Sequence, residues 1–518
     1  MVVRTEIKAF PSAVGAGYNT LGGSGGIVVH VTNLNDSGTG SLRWALTDNT
    51  LKTQDRTIVF DISGVIQLST VIRMDSSHTG GITIAGFTAP YGGITVIGQM
   101  VRMTEANSVI VRNMRFRGGY NDTDPNNAYS KSTFLMGRTK GFIVDHCSIS
   151  FAKEQGMGGN GGDTTSNIYN GSTWQNNLVN DVGRVGIIGQ GITSSAASRL
   201  DNMQVTVYNQ VMVDVGWRQP NISGNIRMDL INNFVHNWAK QLSNFGATYY
   251  ADDPTRDEIT KTNAIGNYYQ DGGTTRLSSG DNYPDPLYRL FKVNDNNDTP
   301  QFYWEDNYIS DYFNLPNYPA QPETAFRPYT QDGSSATPQN SWFQYPKFTM
   351  NGITPVIISS QDIKTEVFPT VGACYYTDDN GDVQYYRDNI DTEAIRRATV
   401  KSDALKGRDE FGVVLPSYQD RAEALLPNGS DPMPSFTRPA NFYQSNPHIP
   451  EAWLVAKGLT GTATIHNELA PSGYTWMEEY INQVDNLSTP SNTLYDISTA
   501  FRNSGSRGLI KGISRGTF

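Results

Sequence analysis

The amino-acid sequence predicts an all-β fold wound as a parallel β-helix, and a recurring phrase, the spacing of its copies and the composition all point there. The phrase is a few alternating apolar residues, an Asn or another small polar residue, then two or three more apolar or aromatic residues. It reads at Val109 to Phe116, Phe142 to Ile149, Ser172 to Val179, Val205 to Val213, Arg227 to Val235, Thr262 to Tyr269 and Phe302 to Ile309. Successive copies start roughly 20 to 40 residues apart, the period of solenoids. Alternation gives strands, while Asn113, Asn176, Asn209, Asn232 and Asn267 tolerate left-handed backbone angles and suit the bend between them. Stacking the coils brings these amides into register, so a ladder of side-chain hydrogen bonds is expected along the bend. A β-sandwich with Asn in its hairpin loops ranks second, because it needs frequent tight hairpins and these intervals are too long and uneven.

With 50 Gly, 27 Tyr and 17% charged residues among 518, the chain has the make-up of a large, turn-rich β protein with a polar surface. No apolar window has the length of a membrane helix. The start, Met1 to Phe10, lacks an apolar core followed by a small-residue cleavage site, so no signal peptide is visible in it. Cys147 and Cys374 sit in unlike contexts and are expected to be free thiols, Cys147 inside a coil. The net charge of −10 without a basic run argues against nucleic acid as a partner. A polyanionic partner needs a local Arg or Lys cluster, or a bound cation, against that overall field.

Three regions follow in order. Residues 1–75 read as a lead-in and cap: the Gly-rich Gly15 to Gly26, a strand Ile27 to Val31, a turn Asn35 to Gly40, a short helix Ser41 to Leu46 that shields the open end of the stack, and strands near Ile58 to Asp61 and Val65 to Leu68. Residues 76–310 carry the coils. Residues 311–518 begin with loops rich in Pro, Tyr, Asn and Gln and end in an irregular tail packed on the coils, with helical spacing at Thr392 to Ala404 and Tyr474 to Val484. The final Ser504 to Phe518 reads as a mobile end, with an oligomer contact as the alternative.

Several of these stretches resemble one family. Gly15-Ala16-Gly17, Gly22 to Gly26 and His30 to Arg43 are similar to the opening of the pectate lyase family 1 group of polysaccharide lyases. Thr57 to Asp61, Thr83 to Gly86, Val109 to Arg112, Asp145-His146-Cys147-Ser148, Gly266 to Tyr269, Pro450 to Trp453 and Tyr474 to Tyr480 are similar to later parts of the same group, so the resemblance runs over nearly the whole chain. It implies a right-handed parallel β-helix that cleaves acidic polysaccharides by β-elimination. In that chemistry a proton beside a uronic carboxylate is removed, the carboxylate is neutralised, usually by calcium, and an Arg acts as the base.

The resemblance assigns residues one by one. Asp145 matches an aspartate that helps hold calcium. Where the family has Ser-Trp-Ser-Thr-Asp-Glu, this chain has Ser150-Phe151-Ala152-Lys153-Glu154-Gln155, so Glu154 stands for one acid while Lys153 and Gln155 remove charge from the set. Ser132, Thr133 and Phe134 stand where another acidic pair is expected, with Asp122 and Asp124 in a nearby loop. Calcium, held by Asp145 and Glu154, is the implied cofactor. Arg218, in Trp217-Arg218-Gln219-Pro220, falls on the catalytic Arg-x-Pro arginine, with Trp217 beside it. Trp217, Arg184 and Lys153 are candidates to bind the sugar and its carboxylates, His146 is expected to be structural, and Asp145 and Arg218 are expected to share one trench.

Two functions are weighed. The first is a polysaccharide lyase, extracellular and monomeric, with an acidic polysaccharide as its partner. A hydrolase on the same scaffold instead needs two carboxylates facing the groove, for which Glu154, Asp122, Asp124, Asp163 and Asp181 are available. The second is a glycan-binding virus tail spike, a homotrimer that grips a host surface polysaccharide, with or without depolymerising it.

Overall fold

In the computed structural model the sequence phrases stack as coils. The structure describes residues 7–487 apart from internal stretches, chiefly 119–131, 160–170, 189–203, 246–259, 273–290, 295–299, 310–325, 330–339 and 402–417. Asp122, Asp124, Asp163 and Ser504 to Phe518 lie outside the described residues.

Ten strands, from Ile27–Val31 to Gln301–Glu305, form the first sheet, and nine, from Gly64–Gln67 to Tyr308–Ile309, form the second. The third face has a three-stranded piece, Ile72–Met74, Val101–Thr104 and Phe134–Gly137, and a five-stranded piece from Ile187–Ile188 to Phe326–Tyr329. The two pieces are joined through Met157 to Gly159: the Met136 N–H donates to the Gly158 carbonyl at 2.8 Å, and Gly159 bridges to Ile188. Neighbouring strands run parallel throughout these sheets, which makes the fold a parallel β-solenoid. Coil length varies because the loops do: Met228 stacks on Val205 and Phe302 on Thr262, with the bend residues of those coils 23 and 40 positions apart.

The solenoid starts earlier than the sequence suggests. Ile27–Val31 and Arg56–Phe60, expected in the lead-in, already pair in parallel as the first rungs of the first sheet. The following loop hides this, because the cap helix Leu42–Thr47 is inserted between those rungs. Ser41 caps its N-terminus by accepting from Trp44, and Leu42, Ala45 and Leu46 join the main core. Two of its orphan C-terminal carbonyls are taken by the buried Arg56, which donates to Ala45 at 2.9 Å and Leu46 at 2.8 Å, and also to Leu51 in the following turn at 3.1 Å. Burial pulls that guanidinium down to about 10.

Alternation sends Val109, Val111, Phe142, Val144, Trp174, Val205 and Val207 into the interior. On the outer face of the same sheet lie Thr83, Thr173 and Thr206, and the Gly-rich lead-in runs across them. Gly23, Gly17 and Ala16 donate backbone N–H groups to these hydroxyls at 3.0, 2.9 and 3.1 Å. A side chain at Gly17 would meet the Phe142 carbonyl at 2.6 Å, so only glycine lets the backbone lie this flat.

The bend between the first and second sheets is the expected Asn ladder, doubled. Asn113, His146, Asn176, Asn209, Asn232, Gly266 and Asp306 take the left-handed conformation. The next residue along each later coil points inward, so Asn233 donates to Asn267 at 3.0 Å and Asn267 to Asn307 at 2.7 Å, fully buried. Asn267 therefore serves the inner column and Gly266 makes the turn. His146 is structural as expected, but it lies at this bend rather than inside the coil.

The tail wraps the outside of the second sheet. Ile363, Val367, Phe368, Ala394, Ile395 and Ala398 cover Leu178, Val211 and Phe234, with Asn389–Val400 and Trp476–Asn482 as helices near the expected positions. Both cysteines are free and buried, Cys147 in the main core. Among the described residues no helix is long and apolar enough to cross a membrane.

Candidate active site

Three consecutive strands of the second sheet, Ser148–Gln155, Leu178–Arg184 and Val211–Trp217, are longer than their neighbours. Each passes through a left-handed residue, Phe151, Asp181 or Asp214, and runs on to the corner before the third face. Short polar Asp side chains tolerate that conformation at modest cost. At the corner Arg218 itself is left-handed, with φ 65°, uncommon for a long side chain. Its carbonyl accepts from Gly186 at 3.0 Å, and Gln219 N–H donates to Leu242 at 2.8 Å, so the turn is held on both sides.

The side chains beyond the bends converge. Arg184 stands in register with Trp217 on one side and Gln155 on the other. Between Ala152 and Gln155 the first strand has one residue more than its partner, a β-bulge of the kind that re-aims side chains at functional sites. The bulge carries Lys153 and Glu154, and Glu154 forms an ion pair with Arg184 Nη1. The Arg184 guanidinium lies 5.2 Å and that of Arg218 4.4 Å from the Trp217 ring centre, so one indole orders two cations. All five side chains are half-buried and reach solvent. Lys153, Arg184 and Arg218 thus stand with Glu154 on or just after three successive strands that end at this corner.

Asp145 does not join them. It ends a strand of the first sheet, at the opposite end of the second-sheet strands from Arg218, and is completely buried. Its Oδ2 accepts from Arg112 at 2.9 Å, and its Oδ1 meets His146 at 2.7 Å, Gln175 at 3.0 Å and Asn176 at 3.2 Å. Burial pushes its carboxyl up, but His146 and Arg112 outweigh that and hold it well below the usual carboxylate range. Arg112 also binds Asp485 of the tail at 2.6 Å and stacks on Phe10 of the lead-in. Asp145 is thus placed apart from Arg218, with both its oxygens committed to neighbouring turns, while Arg112 links it to Phe10 and Asp485.

Among the described residues the remaining donors do not assemble a calcium set. Calcium takes six to eight oxygens, usually including several carboxylates. Among the described residues no group of three or more His, Cys, Asp or Glu is arranged to hold a metal, and Glu154 is already paired with Arg184.

Sequence reasoning missed what braces the site. Arg397, from the tail helix Asn389–Val400, donates to both oxygens of Asp181, at 3.2 and 2.9 Å, and pairs with Asp214. Burial pulls the guanidinium down, but Asp181 and Asp214 together hold it above its ordinary range. The signal is present as a repeat, Asp181-Val182-Gly183-Arg184 and Asp214-Val215-Gly216-Trp217, which places two acids at equivalent points of successive coils. Asp181 is fully buried under Arg397 and does not face the corner, so it is no hydrolytic acid.

Fold and site together define a parallel β-solenoid with a cationic, aromatic corner. The chain is similar to pectate lyases. It is 34% identical over 277 residues to a probable pectate lyase C of Aspergillus fumigatus, a match covering 53% of this chain and 57% of the relative, so the chain spans little more than half of the curated relatives it matches. Among solved structures, a pectate lyase from Bacillus sp. N165 in complex with trigalacturonate superposes with a TM-score of 0.41 at 14% identity, over 68% of this chain and 94% of the other. Pectate lyase C of Erwinia chrysanthemi, solved with calcium, gives 0.39 at 14% identity, over 69% and 95%. No family model matches the chain.

Proposed function

We propose that this protein is a polysaccharide lyase that cleaves an acidic, uronate-containing polysaccharide by β-elimination at the Arg218 corner, working outside the cell where such polymers occur. The observation that carries the reading is the convergence of Glu154, Arg184, Trp217 and Arg218 from three adjacent coils, with Lys153 beside Glu154 in the bulge. The similarity to fungal pectate lyases supports it.

In this reading Trp217 offers an apolar face for a sugar ring. Lys153 and Arg184 hold the uronate carboxylate, an arrangement suited to planar anions. Arg218 takes the proton from the ring carbon beside that carboxylate. The electron pair left behind forms a carbon–carbon double bond, the bond to the glycosidic oxygen on the next carbon breaks, and that oxygen takes a proton from solvent, to which Arg218 returns the one it removed. No water is consumed. Hydrolysis would need a second carboxylate opposite Glu154, and Asp181 is committed to Arg397. No observation favours the tail-spike reading.

The test is ultraviolet absorbance of the unsaturated product during incubation with polygalacturonate. Arg218→Lys is expected to lower kcat by about 10²- to 10⁴-fold, the usual worth of a general base, with the unfolding midpoint unchanged. New reducing ends without the absorbance, or full activity in the variant, would overturn the proposal.

A further inference from the structure

Away from the Arg218 corner, aromatic rings from three separate segments meet at the bend between the first and second sheets, over the first coils. We infer that this cluster is a second carbohydrate site, which binds an uncharged, flat polysaccharide chain of the β-1,4-glucan or xylan kind. Tyr91 is its centre. The ring centres of Tyr376, Tyr386 and Phe436 lie 5.2, 4.8 and 6.0 Å from that of Tyr91, at interplanar angles of 85°, 60° and 65°, so none of them stacks flat on it. Tyr91 is 44% exposed and Phe436 52%.

The rings are presented on pinned backbone. Phe436 donates its N–H to Ser63 Oγ at 2.9 Å and accepts the Ser63 N–H at 2.8 Å. Thr377, beside Tyr376, donates its N–H to Ala89 at 3.0 Å and its hydroxyl to Phe87 at 2.9 Å. Tyr386 donates its N–H to Cys374 at 2.8 Å and has the Arg115 guanidinium 5.4 Å from its ring centre. Rings fixed in advance spare a ligand the cost of ordering them.

A ring face is the negative part of an aromatic side chain and attracts the C–H bonds on the flat side of a sugar. The charges beside these rings decide which sugar. Burial and then Asp378 raise the Tyr376 phenol, while burial, opposed by Arg115, raises that of Tyr386 with Asp431 adding to it, so carboxylates stand close to both hydroxyls. The neighbouring Asp379 is 69% exposed. Arg115 and Arg438 are 1% and 4% exposed, and they donate to the carbonyls of Gly92, Ala373, Asp378 and Thr88. A polyuronate is repelled by such a rim, whereas neutral hydroxyls can donate to it. A second copy of the chain is the poorer occupant. Two half-exposed rings offer on the order of 100 Å² each, against about 800 Å² per partner in a stable interface. The site is also distinct from the Arg218 corner. It borders Gly64–Gln67 and Ile94–Ile97, and the second of these lies four rungs before Val211–Trp217 in the second sheet, roughly 19 Å along the stack.

The experiment is calorimetric titration of the whole chain with cellohexaose and with xylohexaose, each with and without trigalacturonate. At least one hexasaccharide is expected to bind, and trigalacturonate should not displace it. Tyr91→Ala should weaken that binding by roughly tenfold, the worth of one aromatic stack, and so should Phe436→Leu, which keeps apolar bulk at the surface but removes the ring. Tyr91→Phe should retain it. Whatever rate the parent shows on soluble polygalacturonate should be unchanged in all three variants. Binding of neither hexasaccharide, displacement by trigalacturonate, or binding untouched by both ring-removing variants would overturn the inference. Self-association of the parent that Phe436→Leu abolishes, in place of sugar binding, would overturn it in favour of a second copy.

Discussion

Replacing Arg397 by Met removes a tail guanidinium that bridges two buried carboxylates. Arg397 is 2% exposed, Asp181 0% and Asp214 1%. Deleting one partner of a buried ion pair costs about 3–5 kcal/mol, because the other charge stays out of water without its counterion. Three contacts soften the loss: Asn180 donates to Asp181 at 2.9 Å, Arg421 lies 3.4 Å from it, and Asn237 donates to Asp214. The expected cost is therefore near the lower bound, about 3 kcal/mol, which lowers the unfolding midpoint of a chain this long by roughly 3 °C. Thermal unfolding followed by circular dichroism measures it. The triple variant Arg397→Met, Asp181→Asn, Asp214→Asn should recover most of the loss, since no buried charge is left and amides can pair along the column as Asn237 does. An unchanged midpoint in the single variant, or a triple variant no more stable than the single one, would refute the reasoning.

Acid sensitivity is expected from the opposite end of the tail. Burial, then His30 and His466, push the His448 imidazole down to about 4 from 6.5, with Asp61 acting the other way. His30 bridges Asp61 at 2.8 Å and His448 at 2.9 Å. The folded state thus resists a proton that the unfolded state accepts, so this contribution is full above pH 6.5 and is lost as pH falls toward 4. Unfolding midpoints across that range should fall less steeply in His448→Gln than in the parent. Burial pushes the Cys147 thiol up to about 12 and that of Cys374 up to about 11, so a thiol reagent should label neither in the native state and both in denaturant. Asn267→Ala strands the buried amides of Asn233 and Asn307 and should cost about 2–3 kcal/mol in a denaturant titration.

Much of the architecture was legible because a solenoid writes its period into the chain. The phrase from Phe142 to Ile149 lies on the one from Val109 to Phe116 in full register, and Asn113, Asn176, Asn209 and Asn232 make the bend as expected, with Gly266 in place of Asn267. Glu154, Arg184, Trp217 and Arg218 are neighbours because positions at equivalent points of successive coils stack on one another. The first rungs at Ile27 and Arg56 were harder to read, since an inserted helix breaks the spacing. Asp145 misleads for a related reason. Its motif is specific, but a motif does not say which corner of the coil it occupies.

Local chemistry therefore determined the strands, the left-handed bends and the column each side chain joins, since all of these depend on residues close together in the chain. Which columns are covered and which stay open depended on segments hundreds of residues away. Arg397 reaches Asp181 across 216 positions and Asp485 reaches Arg112 across 373, and only folding reveals that those acids are sealed while the Arg218 corner faces solvent. The reason is physical: a buried charge is tolerated where a counterion meets it, and the counterions here come from the tail.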